Sequence, residues 1–121
     1  MFGNNVQEIE AGAFAGCEDL SSVKFSVELR KIGANAFSDC ENLVDMNIGA
    51  VAPNIVGSNA FSNTGLKNIR TKLCVYDKSA TEIFSDCHAL NDADITSNVI
   101  FDGMFNGCEN LLNARLTYSD G

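Results

Sequence analysis

Ala13-Phe14-Ala15-Gly16-Cys17-Glu18-Asp19-Leu20 is the first of five related stretches in this chain of 121 residues. Each has a Phe, then Cys or Thr three residues on, then a Leu. The Phe residues are Phe14, Phe37, Phe61, Phe84 and Phe105, so the steps are 23, 24, 23 and 21 residues. A period of that size marks a solenoid, in which each repeat is one coil that buries its apolar side only against its neighbours.

The coils align in register. Coil one carries Ile9, Phe14, Cys17, Leu20, Val23 and Phe25, and coil two carries Ile32, Phe37, Cys40, Leu43, Met46 and Ile48. Coil three keeps Val56, Phe61, Leu66 and Ile69, has Thr64 in place of Cys, and is one residue shorter before its Leu, where Gly65 is expected to take the tighter turn. Coil four has Phe84, Cys87, Leu90, Ala93 and Ile95 but Ser79 where the others are aliphatic. Coil five restores the pattern with Ile100, Phe105, Cys108, Leu111, Ala114 and Leu116. The expected organisation is a single domain with coils over 6–28, 29–51, 52–75, 76–98 and 99–121, a fragment or short version of a longer array.

The segment Leu-x-x-Val-x-Phe alternates apolar and polar side chains over its last residues, the two-residue period of a strand with one face in the core. Successive coils enter in the same direction, so their strands pair in parallel with a spacing of about 4.8 Å. The fold class expected is a repeat solenoid, a right-handed superhelix, mainly β, with one parallel sheet and short helical or 3₁₀ turns on the outer side. The stretch around Ala-Phe-x-x-Cys often starts with Asn or Ser, as in Asn35-Ala36-Phe37, and predicts one capped helical turn. Its Phe is expected to point inward and stack on the Phe of the next coil.

Ile32-Gly33-Ala34-Asn35-Ala36-Phe37-Ser38-Asp39-Cys40-Glu41-Asn42-Leu43 resembles the treponemal, or BspA-like, class of leucine-rich repeat. The resemblance extends from about Val6 to Leu116. It departs in having a single proline, Pro53, where the family often places one after each strand. The resemblance implies a leucine-rich-repeat fold in a protein of the cell surface or extracellular space, acting in adhesion or host contact.

Eight Lys plus Arg against sixteen Asp plus Glu give a formal charge of −8, which repels nucleic acid and anionic lipid. No run of about 18 apolar residues predicts a membrane span, and the first residues have no signal-peptide pattern. No Cys-x-x-Cys or His-x-x-x-His pair has zinc spacing, and Asp92-Ala93-Asp94 lacks the rest of a calcium loop. Neither metal nor other cofactor is expected.

Cys17, Cys40, Cys87 and Cys108 occupy one repeat position, which explains them without oxidation. They are expected to be buried free thiols offering Sγ–H to a neighbouring carbonyl, with Thr64 able to replace them, and Cys74 standing outside the register. His88, the one histidine, follows Cys87 directly, so the two should face opposite ways and form no catalytic dyad. No enzyme is expected.

The remaining candidate is the open, concave face of the sheet. Its outward side chains form one column of Ser22, Asp45, Asn68, Asp92 and Asn113 and a second of Lys24, Asn47, Arg70, Asp94 and Arg115. All ten are polar, which fits partner binding and equally fits charge pairs such as Arg70 with Asp92 or Asp94 that only stabilise the sheet. The leading expectation is a protein-binding scaffold. Glycan is a poorer fit because the columns hold no aromatic platform. The alternative is a structural spacer with the binding site elsewhere. End-to-end self-association is a further expectation, since neither end of the sequence shows a polar capping coil.

Overall fold

The computed structural model describes residues 6–47, 53–73, 79–99 and 101–118. Cys74, Ile48 and Ile100 lie outside them. The described strands are β1 (Glu8–Ile9), β2 (Ser22–Lys24), β3 (Lys31–Ile32), β4 (Asp45–Asn47), β5 (Ile55–Val56), β6 (Asn68–Leu73), β7 (Asp92–Ser97) and β8 (Asn113–Tyr118), and every pairing between them is parallel. The chain is therefore a parallel β-solenoid, with β2, β4, β6, β7 and β8 as successive rungs of the long-strand face.

The expected spine is present. Phe14, Phe37, Phe61, Phe84 and Phe105 form a continuous column of stacked rings, with successive centroids 5.3, 5.3, 5.5 and 6.0 Å apart. Phe25 closes on Phe37 edge-on at 5.7 Å. Around the column Ile32, Leu43, Leu66, Ile83, Leu90 and Ile95 have no accessible surface. The three central rings, Phe37, Phe61 and Phe84, are buried, whereas Phe14 and Phe105 in the outer rungs are only partly so.

The turn that carries each Phe is not helical, and this corrects the expectation of a capped helical or 3₁₀ turn. No helix occurs among the described residues. The residues two before and two after the Phe have positive φ in every coil: Gly12 and Gly16, Asn35 and Asp39, Asn59 and Asn63, Glu82 and Asp86, Gly103 and Gly107. A left-handed residue at these two places prevents a helix from propagating. It also divides the backbone donors between two tasks. Ala36, Ser38 and Cys40 donate three residues back, to Gly33, Asn35 and Phe37. Asn35, Phe37 and Asp39 donate across to Ser58, Ala60 and Ser62 of the next coil, at 2.8–3.0 Å. The turns thus form a hydrogen-bonded wall of their own, which satisfies buried main-chain groups that a lone helical turn would leave unpaired. Asn35 serves here as a left-handed residue and not as a helix cap.

The expectation of one sheet is corrected as well. β1, β3 and β5 form a separate ladder of two-residue strands on another side of the coil. Among the described residues the long-strand face is itself in two parts, β2-β4 and β6-β7-β8, with no pairing between β4 and β6. Coil three's deletion lies at this break. Leu20, Leu43, Leu90 and Leu111 each donate to the carbonyl of the Cys three residues earlier, and Leu66 has no such bond. Gly65 is needed for a close approach and not for a left-handed φ, because a Cβ there would collide with the Glu41 carbonyl.

Coil four's Ser79 is exposed and Ala80 takes the inward place beside it. Among the described residues the short-strand ladder stops at β5, the rung before this loss of an aliphatic residue.

Candidate functional site

The two polar columns are real rows of the structure. Register places Ser22 beside Asp45 and Lys24 beside Asn47 in the first part of the face. In the second part Asn68, Asp92 and Asn113 are neighbours, as are Arg70, Asp94 and Arg115. The strands put them there by alternation: Ile69, Thr71 and Leu73 of β6 are buried while Asn68, Arg70 and Lys72 are exposed. Ser22, Lys24, Asp45, Asn68, Arg70, Asp92, Asn113 and Arg115 are exposed and Asp94 is half-buried. The break between β4 and β6 separates the columns into a pair of rungs and a set of three.

The three-strand part is larger than the sequence reading made it. β6, β7 and β8 each run for six residues, and Thr71–Ile95–Leu116 continue the inward row. This brings out a third outward row, Lys72, Thr96 and Thr117. The signal for it was available in the alternation of Ile69-x-Thr71-x-Leu73, which continues past the point where the repeat pattern ends.

The electrostatics of the face are short-range. Arg70 Nε lies 3.8 Å from Asp94 Oδ2, the second of the two pairings expected for it, and the Arg70 side chain is 85% exposed. An exposed pair of this kind contributes about 0–1 kcal/mol, so the Arg70 head remains available to exchange Asp94 for another anion. Asp92 and Asp45 have no ion-pair partner among the described residues. An open depression of about 400 Å³ is lined by Arg70, Asp92, Asp94, Asn113 and Arg115, and an adjoining one of about 470 Å³ spans the break, lined by Asp45, Asn68, Arg70 and Asp94 among others.

Elsewhere the candidates for chemistry resolve into packing. Cys17, Cys40, Cys87 and Cys108 are free thiols, but only Cys40 and Cys87 are buried as expected; Cys17 and Cys108, in the outer coils, are half-buried because a described coil covers them on one side only. Cys40, Cys87 and Cys108 donate Sγ–H to the Phe14, Phe61 and Phe84 carbonyls at 3.0, 3.3 and 3.1 Å. Thr64 Oγ1 sits 3.2 Å from Cys87 Sγ, so Thr64 joins the thiol row as expected of a replacement for Cys. Burial pushes the Cys40 thiol above its ordinary value. Cys87 and Cys108 titrate as a pair, and their mutual hydrogen bond, followed by burial, pushes Cys108 up. The hydrogen bond with Cys108 lowers Cys87 to about 7 against the opposing effect of its burial, so Cys40 and Cys108 are the thiols held protonated, and Cys87 is kept from solvent by having no accessible surface.

His88 is on the surface and its Nδ1 lies 3.1 Å from Glu109 Oε1, whereas Cys87 is buried. The two side chains therefore diverge. No cluster of three or more His, Cys, Asp or Glu suited to a metal occurs among the described residues. No helix among them is long and apolar enough to cross a membrane.

With this geometry in place, comparison with known families is decisive for the fold. The description of the BspA type leucine-rich repeat region matches residues 1–112, in six copies. The chain belongs to the BspA-type leucine-rich repeat family. Solenoids of this family are commonly protein-interaction and surface repeats, and they are typically non-enzymatic scaffolds. No match was found among curated proteins or among solved structures.

Proposed function

We propose that this chain is a non-enzymatic protein-binding scaffold, an adhesion or host-contact module of a cell surface, that engages its partner through the open face of the long strands. The observation that carries this reading is the alignment of Arg70, Asp94 and Arg115 next to Asn68, Asp92 and Asn113 on three paired strands. A row of charged and amide groups at strand spacing is suited to meeting the polar rim and main chain of a protein, and solenoids commonly bind along such extended surfaces. Family membership supports the same reading. A protein is favoured over a glycan because the three outward rows contain no aromatic ring on which a sugar could stack.

The competing reading, spacer coils in a larger surface protein, takes its support from the Arg70–Asp94 pair, which answers charge with charge inside the sheet. Capture from cell surfaces and matrix with three proteins separates the two. The parent and a Glu18→Lys, Glu41→Lys variant should retain the same protein, and an Arg70→Glu, Arg115→Glu variant should lose it. Equal capture by all three would remove the open face from consideration.

A further inference from the structure

We propose that Cys87 and Cys108 are a dithiol couple, a modification site at which hydrogen peroxide closes a disulfide between coils four and five. The turn wall sets the two residues side by side. Phe84 N–H donates to the Met104 carbonyl and Asp86 N–H to the Asn106 carbonyl, a parallel register that pairs Phe84 with Phe105, Asp86 with Gly107 and hence Cys87 with Cys108. Neighbouring positions of such a ladder stand about 4.8 Å apart at Cα, inside the range of about 4.4–6.8 Å that a disulfide spans. The side chains reach each other as well, since a hydrogen bond joins the two thiols.

Thr64 makes the couple selective. On the other side of Cys87 the row holds Thr64, whose Oγ1 lies 3.2 Å from Cys87 Sγ, and Cys40 stands a full rung beyond it. Within the row Cys87 therefore has a thiol on one side only. An unbroken row of five thiols would let each cysteine pair with either neighbour and let a disulfide walk along the solenoid by exchange. Closure disturbs little. Cys87 and Cys108 give up weak Sγ–H donations to the Phe61 and Phe84 carbonyls, at 3.3 and 3.1 Å, and the Thr64 hydroxyl can still donate to Cys87 Sγ.

The two thiols have different parts in the step. Their hydrogen bond lowers Cys87 to about 7, against its burial, and raises Cys108, so Cys87 is the one that ionises and Cys108 keeps its proton. The Cys87 thiolate attacks one oxygen of the peroxide, the O–O bond breaks, and the departing hydroxide takes up the proton that Cys87 released, giving water. Cys108 Sγ then attacks the sulfur of the Cys87 sulfenic acid, the S–O bond breaks, and a second water leaves with the Cys108 proton. The two thiols lose two electrons and one peroxide is reduced to two waters. Cys87 has no accessible surface, so the first step waits on local opening of its coil.

Brief treatment of the native chain with hydrogen peroxide, followed by alkylation in denaturant without reductant and peptide mass mapping, tests the proposal. A peptide pair linked through Cys87 and Cys108 should dominate. The melting temperature should rise by about 10 °C and fall back with dithiothreitol, since the bond closes a loop of about 20 residues. Cys108→Ser, which places in the row a hydroxyl such as Thr64 already supplies, should stop at a Cys87 sulfenic acid that dimedone captures, with no rise in melting temperature. Thr64→Cys gives Cys87 a second partner and should divert part of the crosslink to position 64. Both thiols left alkylatable at a peroxide dose that oxidises free glutathione, or a Cys87–Cys108 link no more frequent than in the chain treated in urea, would overturn the proposal.

Discussion

The rings of Phe37 and Phe61 lie parallel to within 1°, with centroids 5.3 Å apart. Neither ring reaches solvent to any extent, and each is held in place by the backbone bond from Phe37 N–H to the Ala60 carbonyl. Phe37→Ala should cost about 3–5 kcal/mol, because it removes a buried ring and leaves a void between two others. Val27, 79% exposed, is the control, and Val27→Ala should leave the denaturant midpoint nearly unchanged. Equal midpoints for the two variants would refute the ring column as the core.

Glu82 adopts a φ of 57° at the place where other coils have Gly or Asn. A left-handed Glu is strained by about 1 kcal/mol, and Asn tolerates the conformation better. Glu82→Asn should therefore raise stability by a few tenths to about 1 kcal/mol in chemical denaturation.

Thr71 Oγ1 is buried without a hydrogen-bond partner. Its neighbour in register is Ile95, and the inward row is otherwise apolar around it. Thr71→Val keeps the shape and removes an unmet hydroxyl, so it should stabilise the fold by about 1 kcal/mol. Calorimetry would detect the corresponding rise in melting temperature.

The Cys40 thiol is pushed up from an ordinary value of 9.0, chiefly by burial. A thiol whose folded pKa exceeds its unfolded one favours the fold below the unfolded value and loses that contribution as pH rises towards the folded value. Stability should accordingly fall above about pH 9, and Cys40→Ser should flatten that part of the profile. In native protein, maleimide should modify Cys17 and Cys108 before Cys40 and Cys87, which have no accessible surface. Rapid modification of Cys40 would contradict its place in the core.

The ring column and the polar columns were legible because each depends on one residue recurring at one position. Phe, the Cys or Thr after it, and the alternation around Ile69 each report burial directly. The turn conformation was misread because Asn35 and Asn59 satisfy two rules at once, helix capping and left-handed φ. The pair of positions two before and two after Phe decides between them: Gly12 with Gly16, and Gly103 with Gly107, suit a left-handed pair and not a cap. The short ladder of β1, β3 and β5 could not be read, since two residues define no period. Among the described residues the break between β4 and β6 coincides with the coil that is one residue shorter before Leu66, a deletion the sequence displayed without showing which hydrogen bond would go.

Carboxyl footprinting of the chain, free and with its captured protein partner, tests the central claim most directly. Recognition through the open sheet face predicts protection of Asp45, Asp92 and Asp94, with Glu18, Glu41 and Glu109 labelled equally in both states. Protection of Glu18, Glu41 and Glu109 with Asp92 and Asp94 unchanged would contradict it and assign recognition to the turn side of the solenoid.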